Sequence, residues 1–99
     1  MITQYNITAA AWTPISIAGE SGSAWLDEEG DGASGHVDVR VYHTNGGTPS
    51  AAKITEAKRI YKSSGNDDVM ILGADNALDI FYARCVNVGD TAIITVDVS

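Results

Sequence analysis

The chain predicts an all-β protein: a single small antiparallel β-sandwich of jelly-roll-like type, with about eight short strands. Two observations carry this. Runs of β-branched and aromatic residues recur along all 99 residues, with turn residues between them at roughly 8–12-residue spacing. In the cleanest run, Val37, Val39 and Val41 alternate with Asp38, Arg40 and Tyr42. That period of two sets one row on a buried face and the other on an open one. At most one short helix, near 50–58, interrupts the pattern.

The elements follow in order. Ile2–Thr8 alternates weakly and suits an edge strand, or an arm within residues 1–10. Residues 12–18 form a second extended stretch, but Pro14 lacks a backbone N–H, so this strand belongs at a sheet edge or bulge. A turn at 19–22 leads to a short strand at 23–27, an acidic glycine-rich loop at 27–35, and the alternating strand at 37–42. Asn45, Gly46, Gly47, Pro49 and Ser50 then form the longest breaker cluster.

Residues 51–62 admit two readings. Ala51, Ile54, Ala57 and Tyr61 fall at helical spacing behind Thr48 and Pro49, whereas Ala57, Arg59 and Tyr61 alternate as a strand would. The surrounding strand rhythm decides for an irregular or single-turn start followed by a strand near 57–62. Val69–Leu72, residues 79–86 and Thr91–Val98 close the set, joined by Gly73, Asp75 and Asn76 and by Asn87, Gly89 and Asp90. With no internal repeat and no linker to divide it, the chain reads as one domain over 1–99.

Composition narrows the roles. Thirteen acidic residues against six basic ones give a net charge of −7, which repels phosphate backbones and anionic lipid. No nucleic-acid or membrane partner is expected; solubility at high local concentration, or a basic partner surface, fits better. A domain of this size buries roughly 60–65% of its unfolded surface, so association with copies of itself adds useful burial. Cys85 is the single cysteine and shares a predicted strand face with Phe81 and Ala83, which makes it a core thiol. The alanines at 9–11 have no basic flank before them, so no signal peptide is expected. No apolar run nears the roughly 20 residues of a membrane span. Synthesis in a reducing cytoplasm is the expectation.

The chemistry-bearing groups are few. Asp27, Glu29 and Asp31, with Gly32 and Asp38, match positions 1, 3, 5, 6 and 12 of a calcium-binding EF-hand loop. Asp38, however, is shorter than the usual glutamate and opens a valine-alternating strand instead of a helix. These four acids make a weak calcium candidate, and a solvated acidic loop with no resident metal is expected. His36 and His43 lie seven apart on one predicted strand, hence on opposite faces, with no local nucleophile or orienting acid. Asp75 and Asp79 sit where strands turn or start, as capping residues do. With no nucleophile elbow or phosphate loop either, the chain is expected to be no enzyme and to carry no cofactor.

Lys53, Lys58, Arg59 and Lys62 gather most of the positive charge in one segment. Trp12, Trp25, Tyr42 and Tyr82 are the large amphipathic side chains, and Tyr82 shares a strand face with Arg84. The interface candidates are Trp12, Trp25, Lys58, Arg59, Tyr82 and Arg84.

Trp12-Thr13-Pro14-Ile15 leads into Ala18-Gly19-Glu20-Ser21-Gly22 and Ala24-Trp25-Leu26. Later come Leu72-Gly73-Ala74-Asp75-Asn76, Asp79-Ile80-Phe81-Tyr82-Ala83-Arg84 and a terminal apolar strand. In this order the chain resembles the small β-sandwich virion proteins of tailed bacteriophages, which decorate capsids or form head fibres and tail accessories. The likeness is one of strand and turn rhythm over most of the chain; the acidic loop and the basic segment have no counterpart in that group. It implies a non-enzymatic structural protein of the virion, made in the host cytoplasm, without a cofactor, that acts as a homo-oligomer on the major capsid or another virion protein. A trimer is the expected assembly. The alternative is a carbohydrate- or receptor-binding module with a groove flanked by Trp12, Trp25 or Tyr82.

Overall fold

The computed structural model describes residues 2–16, 19–29, 37–60 and 69–98, and only the backbone of 28 and 29. It contains β1 (Ile2–Thr8), β2 (Thr13–Pro14), β3 (Gly22–Glu29), β4 (Val39–Thr44), β5 (Lys58–Ile60), β6 (Val69–Leu72), β7 (Ile80–Cys85) and β8 (Thr91–Val98). A 3₁₀ turn at Ala51–Thr55 lies between β4 and β5.

Two four-stranded sheets result, in the orders β1-β8-β3-β6 and β2-β7-β4-β5. The pairing has a simple origin. β1 runs antiparallel to β8, β2 to β7, β3 to β6 and β4 to β5. The first half of the chain thus returns along the second as one long double ribbon. Rolling that ribbon brings β8 beside β3 and β7 beside β4. This is the jelly roll expected from the sequence.

The inner faces are filled as the alternation requires. Val37, Val39 and Val41 point inward with Phe81, Ala83 and Cys85, and meet Ile7, Ala24, Leu26, Ile94 and Val96 from the other sheet. Cys85 is fully buried, its Sγ 3.7 Å from the Ile7 carbonyl oxygen. Burial, helped by Asp90 and Asp38, pushes its thiol up to about 11, so it stays protonated and inert at neutral pH.

A second, smaller cluster covers the outer face of β7 and β4. Trp12, Ala57 and Tyr82 are buried there, with Tyr42, Ile54 and Ile80 packed around them. The 3₁₀ turn folds across this face and is tied down by Trp12, whose Nε1–H donates to the Ser50 carbonyl at 3.0 Å. The ambiguous stretch therefore resolves as a single turn followed by β5; its last two residues, 61 and 62, lie outside the described residues.

Two positions show the backbone constraints of the ladders. The extended run from residue 12 pairs over only Thr13 and Pro14, on the edge beside β7, as a proline strand must. Gly22 runs so close to β8 that a methyl group there would collide with the Asp97 carbonyl.

Candidate functional site

In a jelly roll the chemistry left to the surface lies at sheet edges and outer faces, because the interior is filled by side chains. Four strands are edges here: β1 and β6 of one sheet, β2 and β5 of the other. An edge presents unpaired N–H and C=O groups and normally carries a charge, a proline or a bulge that blunts it. β2 has Pro14 and only two residues. β5 has Lys58 and Arg59. β1 exposes Gln4 and Asn6, with Ile2 the one apolar residue open at its end.

β6 has none of these devices. Its four residues, Val69, Met70, Ile71 and Leu72, include no charge and no proline. Leu72 and Met70 face the core and fix the strand. The alternate residues stand out: Val69 is 52% and Ile71 76% exposed. Cross-strand register places one large aromatic residue and otherwise polar ones beside this edge on the outer face of its sheet. Val69 lies opposite half-buried Trp25, which in turn lies opposite Thr95; Ile71 lies opposite Ser23, and Ser23 opposite Asp97.

The structure separates the six interface candidates. Trp12 and Tyr82, at 6% and 5% exposed, are packed inside the outer cluster and have little surface to offer a partner. Their placement is corrected accordingly: the amphipathic face of β7 is covered by the chain's own 3₁₀ turn. Trp25 lies on the opposite sheet, facing away from Ala24 and Leu26, and keeps part of its ring accessible.

Arg84 and Arg59 belong to a row that sequence spacing did not reveal. Arg84, Arg40 and Arg59 are direct cross-strand neighbours on β7, β4 and β5. Three like charges in line oppose one another, and the structure shows what holds them. Asp38 accepts Nε and Nη2 of Arg40 at 2.7 and 3.0 Å and has Arg59 Nε at 3.5 Å. Arg84 donates Nε and Nη2 to the Ala9 carbonyl at 3.1 and 2.9 Å. The hydrogen bond from Arg40 in the first place, with both guanidinium charges, holds the Asp38 carboxyl below the usual carboxylate range against the opposing effect of burial. Lys58 alone of the six is an exposed residue, and it carries its charge on an edge strand.

The calcium candidates part company. Asp27 is the extra residue of a β-bulge between Leu26 and Glu28, and its Oδ2 accepts Gln4 Nε2–H at 2.8 Å and Thr95 Oγ1–H at 3.0 Å. Asp38 is held by arginines. Asp31 and the Glu29 side chain lie outside the described residues. The two acids that are described thus already have partners in different sheets.

His36 also lies outside the described residues, but His43 requires a correction. It was expected to have no acid nearby, and Asp75 Oδ2 stands 3.5 Å from its Nε2. Donor atoms of His43, Asp75 and Asp79 fall within 4.8 Å of one another. The roll brings them together by laying β4 along β7, which no local spacing could announce. Asp79 Oδ2 already accepts the N–H groups of Asp75 and Asn76 at 2.7 and 3.2 Å, and Asp75 is 82% exposed. The group closes the β6–β7 turn, as capping aspartates do, and we attach no metal to it.

No protein-family model, curated protein or solved structure matches this chain. Among the described residues, no helix is long and apolar enough to cross a membrane.

Proposed function

We propose that this chain is a structural subunit that builds and decorates a larger particle, and that it associates with copies of itself through the β6 edge. The observation that carries the reading is the bare apolar edge at Val69 and Ile71, set beside three edges that are blunted or polar. Jelly rolls serve capsids and lectins alike, so the fold leaves both classes open. The sugar-binding alternative needs an aromatic groove. Two of its three walls, Trp12 and Tyr82, are buried, and Trp25 stands on the other sheet, so the structural reading is the better supported. The larger particle we propose is a tailed-phage virion, on the strength of the resemblance in strand and turn rhythm alone.

Energetics set the style of assembly. Burying a Val or Ile side chain fully contributes about 1.5–3 kcal/mol. Completing the burial of four half-open side chains, two from each copy, contributes on the order of 5 kcal/mol, with a few backbone hydrogen bonds added. Association costs roughly 4–15 kcal/mol before any net affinity remains. A single edge contact is therefore weak, and is useful where many act together, as on a particle surface.

Apolar β6 against apolar β6 buries the most surface and is a two-fold, self-complementary contact. Pairing β6 with polar β1 of the next copy would instead be head-to-tail, the kind of contact that closes a trimer. We therefore propose a dimer as the elementary unit, in place of the trimer expected from sequence. The test is the protein content of purified phage particles that encode the chain. Stoichiometric copies that co-sediment with the heads and detach without loss of DNA are expected. Its absence from particles, while abundant in the infected cell, would overturn the virion assignment.

A further inference from the structure

The buried side chains of Asp79 and Cys85 have hydrogen-bond partners; that of Asp90 has none among the described residues. It opens β8 after a turn in which its own N–H donates to the Asn87 carbonyl at 3.1 Å and Gly89 takes φ +90°. The residue is 3% exposed, and its Oδ2 is buried without a hydrogen-bond partner. Arg84, on the strand before it, directs Nε and Nη2 to the Ala9 carbonyl and forms no ion pair with Asp90 among the described residues. Cys85, close enough to feel the Asp90 charge, is a neutral thiol and supplies no cation.

Asp90 also lines a cavity of about 290 Å³, with Thr8, Ala9, Ala10, Val88 and Thr91. Val88, 97% exposed, stands at its rim. The wall is largely alkyl, and Asp90 is the one charged residue that lines it. A buried carboxylate without a counter-charge costs several kcal/mol. A primary ammonium would supply both the charge and up to three N–H donors, and an alkyl stem would suit the alanine and valine walls. The net charge of −7 draws basic surfaces toward this chain.

We propose that the cavity between the end of β1 and the start of β8 receives a primary alkylammonium group, as carried by a lysine side chain of a docking protein, with Asp90 as its counter-ion. This goes beyond the assembly reading and does not depend on it, since the β6 edge is a separate surface.

The experiment is a ¹H–¹⁵N NMR titration of the intact chain with n-butylammonium chloride and, at matched ionic strength, with n-butanol. Saturable shifts at residues 8–10 and 88–91 are expected for the ammonium, with at least about tenfold weaker binding of the alcohol, the usual worth of a charged hydrogen bond. Asp90→Asn should abolish the preference. Equal binding of the alcohol, shifts scattered over the acidic surface, or undiminished ammonium binding by Asp90→Asn would each overturn the proposal. Should Asp90→Asn fail to fold, the comparison of ammonium with alcohol on the unaltered chain decides by itself.

Discussion

β5 and β6 are edge strands of three and four residues, each bordering a different sheet, and they meet solvent in opposite ways. β5 holds its edge closed. Arg59 turns onto Asp38 beside Arg40, Lys58 is exposed, and the 3₁₀ turn ahead of it covers the face behind. β6 anchors Met70 and Leu72 inward and leaves Val69 and Ile71 bare. The same chain that closes one edge with charge and a packed lid leaves the other open. The polar groups near β5 thus serve the fold, and the exposed apolar pair on β6 is the surface on which the proposed self-association rests.

The largest effect should come from breaking the guarded side. Trp12→Ala removes the ring that pins the 3₁₀ turn and should cost about 3–5 kcal/mol in urea unfolding, as large aromatic truncations do. A loss below about 1 kcal/mol would mean that the outer cluster contributes little and that β5 is less protected than described.

Next in size is Asp38→Asn, which takes a charged acceptor from Arg40 and Arg59. Because the site is partly open to water, about 1 kcal/mol is expected. The lowered carboxyl gives the sign of the pH dependence. Its contribution is present above the ordinary aspartate value of about 3.9 and is lost as pH falls through the lower folded value. Melting temperatures followed downward from neutral pH should therefore fall less steeply below about pH 4 in Asp38→Asn than in the unaltered chain. Parallel profiles would remove the ion pair from the account.

The smallest effect sharpens the contrast within β5 itself. Lys58→Glu alters an exposed charge and should change stability by no more than about 0.5 kcal/mol. Arg59→Glu, on the neighbouring residue, sets a carboxylate against Asp38 and should cost more. Chemical denaturation of the two variants side by side checks this; equal losses would show that burial, and not the Asp38 pairing, distinguishes them.

Much of this fold could be read from residues. The alternation around Val39, the core position of Cys85 and the edge position of Pro14 follow from a period of two and a missing N–H. What could not be read was which strands meet. β6 becomes an edge, and Arg84, Arg40 and Arg59 fall in line, only because the ribbon rolls as it does. The same holds for His43 and Asp75, which are 32 positions apart in the sequence. Tyr82 looked like an interface residue because strand alternation puts it with Arg84 outside the main core, and Trp12 because it is large and amphipathic; neither signal shows that a later turn comes back to cover them.

The most direct test of the open edge is sedimentation of the 10.4 kDa chain over roughly 0.01–1 mM, the range where a contact of a few kcal/mol net affinity becomes visible. A reversible rise from one-chain to two-chain mass is expected, absent in Ile71→Lys, with melting temperature and circular dichroism unchanged. A one-chain mass throughout, or a dimer that Ile71→Lys leaves intact, would contradict self-association through β6.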